Sequence, residues 1–364
     1  MNILLFILGL LLLVVGAEIL VKGASKLAAA LGISPLIIGL TVVAFGTSAP
    51  ELAVSIKSAL SGQANIALGN VVGSNIFNVL FILGLSALFA PLIVSQQLVR
   101  LDVPLMIAFS VLVLVLGGDG TLSRLEGGIL FSGLIAYIIF LIRLSRRESK
   151  AVVSEYEAAF GNGGESKMKG HLVNLAFVLG GLALLVLGSE WLVNSAVAFA
   201  QYLGVSDLLI GLTIIAAGTS MPELVTSVVA SLRGERDIAV GNVVGSNIFN
   251  ILGVLGLSSL FSPAGIGISP AALGFDIPVL IAVAGACLPI FFTGNLIARW
   301  EGGLFVLYYI FYTLYLILGA TQHEALPQLG LALRYFALPL TAITLAVLTV
   351  RELQSRKKEG WAPR

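Results

Sequence analysis

Two glutamates, Glu51 and Glu223, lie inside long apolar stretches, each within the sequence Gly-Thr-Ser-x-Pro-Glu-Leu. A carboxylate in the hydrocarbon core costs roughly 2.5–3.5 kcal/mol on insertion scales, so it faces protein or water and marks a functional site by default. A structural carboxylate satisfied by one neighbouring helix is the plainer reading, but the whole seven-residue context occurs twice, which argues against it. Two carboxylates match the charge of one divalent cation. Thr47, Ser48, Thr219 and Ser220 add hydroxyl oxygens just upstream. Pro50 and Pro222 precede the glutamates. Proline lacks an N–H and clashes with the carbonyl four residues back, here Gly46 and Gly218. Glycine weakens a helix further. A break is therefore expected around 44–50 and 216–222, with the carbonyls of Ala44, Thr47, Ala216 and Thr219 freed to face a cation. Backbone of that kind is tolerated at membrane depth only inside protein or along a wet cavity. The donor set is oxygen only, as a hard cation such as Ca²⁺ requires. Neither His171, His323 nor Cys287 is near, which argues against zinc or copper.

The second chemical element is GNVVGSNIFN, identical at 69–78 and 241–250. Gly69, Gly73, Gly241 and Gly245 make a small-xxx-small face on which helices approach closely, and packing is the better reading for them. Ser74 and Asn78 lie four apart on one helix face, as do Ser246 and Asn250, with Asn70 and Asn242 a further four back. For Ser74, Asn78, Ser246 and Asn250 we favour cation contact. For Asn75 and Asn247, interhelical hydrogen bonding stays open beside it.

These residues need elements to hold them. The chain has 364 residues, 58% hydrophobic and 11% charged, with a mean hydropathy of +1.05. Soluble domains carry about 25% charged residues, so the solvent here is largely lipid. A span needs about 20 mostly apolar residues. Eleven stretches qualify: 2–21, 33–60, 66–90, 102–118, 126–143, 172–194, 206–231, 238–261, 274–293, 300–319 and 331–350. A hydrophilic stretch at 144–171 divides them.

The halves repeat. Residues 44–84 match 216–256 at a constant offset of 172, with 25 of 41 positions identical. Gly16-Ala17-Glu18 pairs with Gly188-Ser189-Glu190, and Asp102-Val103-Pro104 with Asp276-Ile277-Pro278. Five spans per copy is an odd number, so the copies enter the membrane from opposite sides, the plan of secondary transporters with a midplane site. The expected fold is an all-α polytopic membrane protein of two inverted five-helix repeats (5+5) plus an eleventh C-terminal transmembrane helix. Its parts are 1–143, a cytoplasmic linker 144–171, 172–319, and an extra span with a basic tail at 320–364. With the linker inside, all but Lys57, Arg124 and Arg334 of the 20 basic residues fall inside, as positive-inside bias requires. The N-terminus is then outside and the C-terminus cytoplasmic, in a cell (inner or plasma) membrane. Met1–Gly16 reads as a retained first span, since no preceding positive charge or clean cleavage site marks a signal peptide. Asp102, Asp276, Glu126 and Glu301 read as helix-terminus charges. Glu18 and Glu190 read as interfacial or water-lined carboxylates.

Both halves resemble the α-repeats of the Ca²⁺/cation antiporter superfamily, most closely the prokaryotic Na⁺/Ca²⁺ exchangers. The resemblance covers roughly 2–319. It implies four cation positions in a diamond. Ca²⁺ would lie at Glu51, Glu223 and the carbonyls of Thr47 and Thr219. Na⁺ would use Ala44, Ser48, Ser74, Ala216, Ser220 and Ser246, and Asn78 and Asn250 would make the middle position. Some relatives carry Asp at one of the last two; both are Asn here. The proton-coupled branch typically has Gly-Asn where this chain has Gly46-Thr47 and Gly218-Thr219, which favours Na⁺ coupling. The resemblance further implies alternating access, three Na⁺ per Ca²⁺, and no cofactor.

H⁺-coupled or K⁺-dependent Ca²⁺ antiport is the alternative, and a cation channel a more distant one, because inverted repeats favour a carrier over a pore. An enzyme is not expected: neither histidine lies mid-span to serve an intramembrane hydrolase. No GxxxxGK[ST] loop suggests ATP as the driving force. Expected partners are inorganic cations and the lipid bilayer. The spans offer no basic patch for nucleic acid, and no obligatory protein partner is evident.

Overall fold

The computed structural model describes residues 3–145, 167–204, 213–214 and 216–358. Helices dominate. In chain order they are α1 (Ile3–Leu31), α2 (Pro35–Thr47), α3 (Ala49–Leu60), α4 (Ile66–Phe89), α5 (Leu98–Asp119) and α6 (Arg124–Ser145). In the second half come α7 (Lys167–Tyr202), α8 (Met221–Leu232), α9 (Arg236–Phe261), α10 (Ala272–Phe292) and α11 (Arg299–Ala320), and α12 (Leu326–Ser355) follows. Among the described residues nine are long and apolar enough to cross a bilayer, and α2 with α3 makes a tenth, bent by 46°. The span expected at 206–231 is seen as α8 and a short helix at Ala216–Gly218; its residues 206–212 and 215 lie outside the described residues. So does 146–166, most of the expected linker.

Burial sorts the helices by role. The most apolar window of α9 is completely buried and that of α4 78% buried, whereas α1, α7 and α11 keep most of their apolar side chains on the outside. In a chain whose solvent is lipid this is the reverse of waste: outward leucines and valines meet hydrocarbon, and the centre is free for polar groups. The centre holds GNVVGSNIFN from α4 and α9. Gly245 lets the Leu40 backbone of α2 come so close that a Cβ there would lie 2.6 Å from its carbonyl oxygen.

The outer pair α1 and α7 settles the relation of the two copies. Gly9 packs on Gly188, and Gly16 on Gly181. Residue number rises along one helix as it falls along the other, so the first helices of the two repeats are antiparallel. Two further devices bind the copies. Strand β1 (Leu92–Ile93) pairs antiparallel with β4 (Leu296–Ile297), and β2 (Thr121–Leu122) with β3 (Ile266–Gly267). Each strand comes from one copy and its partner from the other. These two-residue strands are the only departure from the all-helical expectation among the described residues.

The expected boundaries need correction where charge was taken as an edge. The first helix runs ten residues past the expected 21, through Lys22 and Lys26 to Leu31. The sixth begins at Lys167 rather than 172 and ends at Tyr202 rather than 194. A helix leaving the bilayer continues once its side chains turn polar, because its backbone bonds are internal. Asp102 and Asp276 are not simple terminal charges either. Each sits where a π-helical turn, Leu98–Asp102 or Ala272–Asp276, joins its span. Asp102 is fully buried and takes hydrogen bonds from the Tyr137 hydroxyl at 2.9 Å and Gln97 at 3.0 Å. Asp276 takes one from Tyr312 at 3.2 Å. Glu126 and Glu301 do cap their helices, accepting the Ser123 N–H at 2.7 Å and the Ala298 N–H at 2.8 Å. Helix α12 stays on the periphery, tied to α11 where Tyr308 donates to the Ala337 carbonyl at 3.0 Å.

Candidate cation site

The break in the second span falls at Ser48, with φ −82° and ψ 10°, and its mate Ser220 has φ −90° and ψ 12°. Pro50 and Pro222 occupy the first turn of α3 and α8, where a missing N–H costs nothing. Glu51 and Glu223 follow in that first turn, which points the N-terminal ends of two helices at the same region as their carboxylates. Both glutamates are fully buried.

One expectation about the break is corrected. The Ala44 carbonyl is not released, because it takes the Ser48 N–H at 3.1 Å and the Thr47 hydroxyl at 3.4 Å. The proline removes the bond two residues later, to Gly46 or Gly218. At Gly218 that carbonyl is recovered by the Ser189 hydroxyl of α7 at 2.8 Å. Position 17 is the repeat mate of 189 and is alanine, so only one of the two breaks has this support. Ser189→Ala removes one buried hydrogen bond, worth about 1 kcal/mol. It is expected to raise the Na⁺ concentration for half-maximal transport about fivefold. Unchanged Na⁺ dependence would show that the bond does not hold the site.

The hydrogen bonds around the glutamates come in pairs that cross between copies. Ser48 donates to Glu223 Oε1 at 2.8 Å, and Ser220 to Glu51 Oε1 at 2.7 Å. Thr47 donates to Asn242 Oδ1 at 3.1 Å, and Thr219 to Asn70 Oδ1 at 3.4 Å. Each carboxylate is thus held by the broken helix of the opposite repeat. Asn70 and Asn242 then turn back on their own copies. Asn70 donates to the Glu51 carbonyl at 3.2 Å and to Ser55 at 2.9 Å, and Asn242 to the Glu223 carbonyl at 3.3 Å and to Ser227 at 2.9 Å. Ser55 and Ser227 went unread in the sequence, although each lies four residues after its glutamate and hence on the same helix face.

At the centre the asparagines form a closed quartet. Asn75 donates to the Asn247 carbonyl at 3.1 Å, and Asn247 to that of Asn75 at 3.3 Å. Asn78 donates to Asn247 Oδ1 at 3.0 Å, and Asn250 to Asn75 Oδ1 at 3.0 Å. This resolves the open reading of Asn75 and Asn247 as interhelical. Asn78 and Asn250 each begin a π-helical turn, a wide turn that often marks a functional position.

What the protein leaves unbonded is the most telling feature. Glu51 Oε2, Glu223 Oε2, Asn78 Oδ1, Asn250 Oδ1 and Ser246 Oγ are all buried without a hydrogen-bond partner among the described residues. An orphaned buried polar atom costs about 1–3 kcal/mol, and more if charged. Five such oxygens on the site's own residues, two of them on carboxylates, offer the hard ligands a cation needs. No cluster of three or more histidine, cysteine or acidic residues occurs among the described residues. Ala216 opens the short helix before the second break. The pairing is broken at one point: Ser220 also donates to Ser74 at 3.1 Å, whereas Ser246, the mate of Ser74, has no such bond.

Helices of bilayer length around a buried oxygen pocket define a multi-pass membrane protein, and its antiparallel first helices are consistent with the inverted-repeat plan of transporters. Residues 1–143 and 173–318 match the sodium/calcium exchanger protein family, and the chain belongs to it. It is 37% identical over 347 residues to the sodium/calcium exchanger MaX1 of Methanosarcina acetivorans, covering 85% of this chain and 96% of that protein. It is 39% identical over 282 residues to the putative antiporter CaxA of Alkalimonas amylolytica, covering 77% of this chain and 86% of that one. Among solved structures, one of the sodium-calcium exchanger NCX_Mj superposes with a TM-score of 0.73 at 31% identity, covering 85% of this chain and 96% of that chain.

Proposed function

We propose that the chain exchanges Na⁺ for Ca²⁺ across a cell membrane by alternating access, three Na⁺ for each Ca²⁺, so that each cycle moves net charge. The observation that carries this reading is the set of five orphaned oxygens around two buried carboxylates. Ca²⁺ binds between Glu51 and Glu223 with the carbonyls of Thr47 and Thr219. The cross-bonded groups divide the flanking Na⁺ ligands into two sets. One is Ser48, Glu223 and Ser246, and the other is Ser220, Glu51 and Ser74. Asn78 and Asn250 face the middle. Two carboxylates neutralise one divalent ion or most of the charge of several Na⁺, not both loads at once, and that exclusion couples the fluxes. The relatives' names, sodium/calcium exchanger and antiporter, agree with it. The N-terminus lies outside and the basic tail in the cytoplasm.

The test is ⁴⁵Ca²⁺ uptake into proteoliposomes under Na⁺, K⁺ or H⁺ gradients imposed one at a time. Uptake is expected with Na⁺ inside, to saturate, and to quicken when the interior is made positive, because Na⁺ carries the larger charge outward. Uptake driven by H⁺ alone, or requiring K⁺, would replace the coupling ion. Flux indifferent to the opposing ion would mean a channel.

A further inference from the structure

A cavity of about 780 Å³ lies beside the broken α2–α3 span, walled by α2, α6, α7 and α9. Of its 20 lining residues only Thr41, Tyr137 and Glu190 have polar side chains. Two of those are already engaged: Thr41 donates to the Ile37 carbonyl at 2.6 Å, and Tyr137 to Asp102 at 2.9 Å. That leaves Glu190 as the cavity's single acceptor group without a hydrogen bond described here. Water in a cavity needs two to four polar partners, so this space is not a place for water. Nor is it an ion path, for the same reason. Packed protein interiors hold few voids larger than a water molecule. This space is instead open on one side, so the medium that surrounds the helices fills it.

The walls say what that medium is. Leu179 and Phe45 are 58% and 57% exposed, and Leu175, Val186 and Leu187 are exposed beside them. These five side chains lie on helices that cross the bilayer, where the surrounding medium is hydrocarbon. One wall is formed where Phe45 meets Phe249 edge to face at 5.1 Å. That wall also includes Gly46, Ala49 and Gly245, neighbours of Thr47, Ser48 and Ser246. An apolar slot that begins in lipid and ends behind the helix break fits a long, flexible, uncharged chain.

We propose that this cavity takes an acyl chain of a membrane phospholipid as an intercalated ligand between α7 and the broken α2–α3 span. The chain replaces a protein side-chain layer with one that can leave, so α7 shifts against α2 without opening a vacuum or a water path. The proposal rests on the cavity and on the chain crossing a membrane. It does not depend on which ions are carried.

The test uses Trp fluorescence quenching by phospholipid brominated on its acyl chains. In a Trp191→Phe, Trp300→Phe, Trp361→Phe background, Leu187→Trp reports the cavity and Val347→Trp reports the outer face of α12, which is merely bathed in lipid. Both are expected to be quenched in brominated vesicles. After transfer to unbrominated detergent, quenching is expected to persist for Leu187→Trp and to be lost for Val347→Trp. Adding the cavity-filling Ala183→Trp substitution, with that residue's own emission subtracted, should abolish the persistent quenching. Loss of quenching at both probes in detergent would reduce the cavity to ordinary lipid boundary and overturn the proposal. So would no quenching at Leu187→Trp in vesicles. Persistent quenching that survives Ala183→Trp would place the retained lipid elsewhere, and that too would overturn it.

Discussion

Glu223→Gln, reconstituted in proteoliposomes, is expected to lose at least about 100-fold in Na⁺-driven ⁴⁵Ca²⁺ uptake, and Glu51→Gln to do the same. The substitution keeps shape and removes one of two charges in a fully buried pocket. Breaking a buried charge pair by removing one partner costs about 3–5 kcal/mol, and each 1.4 kcal/mol is tenfold in affinity. A bound Ca²⁺ facing one carboxylate is left half neutralised in a low dielectric. The variants should still fold, because an amide can accept the Ser48 or Ser220 hydroxyl bond as Oε1 now does. Near-normal uptake by either folded variant would remove both carboxylates from the ion chemistry.

The asparagine quartet carries the second large effect, and it is on stability. Asn247→Leu keeps the branched shape but not the hydrogen bonds, and leaves Asn78 Nδ2 and the Asn75 carbonyl without those partners, at the junction of α4 and α9. Each stranded group costs about 1–3 kcal/mol, together about 2–6 kcal/mol out of a total stability that is itself small. The expected result is a large fall in the melting temperature of the detergent-purified protein. Asn75→Leu combined with Asn247→Leu should cost less than the sum of the two single changes, since both remove parts of one network. Melting unchanged in Asn247→Leu would mean the quartet is a geometric coincidence rather than a fastening.

Much of this centre was legible because membrane residence narrows the choices. A charge, a proline and a hydroxyl within five apolar residues have few explanations, and their exact recurrence 172 residues on leaves fewer. What the repeat could not tell was who holds whom. Spacing put Asn70 on a stripe with Ser74 and Asn78, yet its side chain reaches sideways to the Glu51 carbonyl. It also gave no means of knowing that Ser48 serves Glu223 rather than its own neighbour Glu51. Those are contacts between helices, and periodicity speaks only of faces. Helix ends were misjudged for a simpler reason: hydropathy finds where a helix leaves the oil, not where it stops.

Duplication would, if perfect, have made a carrier with no preferred face. Three of the differences between the halves of this chain change a fastening. Ser189 has alanine as its counterpart at position 17, and Arg233, which ion-pairs with Glu18 at 2.5 Å, has serine at position 61. Ser220 grips Ser74 while Ser246 stays open. All three fastenings draw on a residue of one half whose counterpart does not return the favour. A pocket built from near-identical halves is therefore held unequally, and its two ends are chemically distinct.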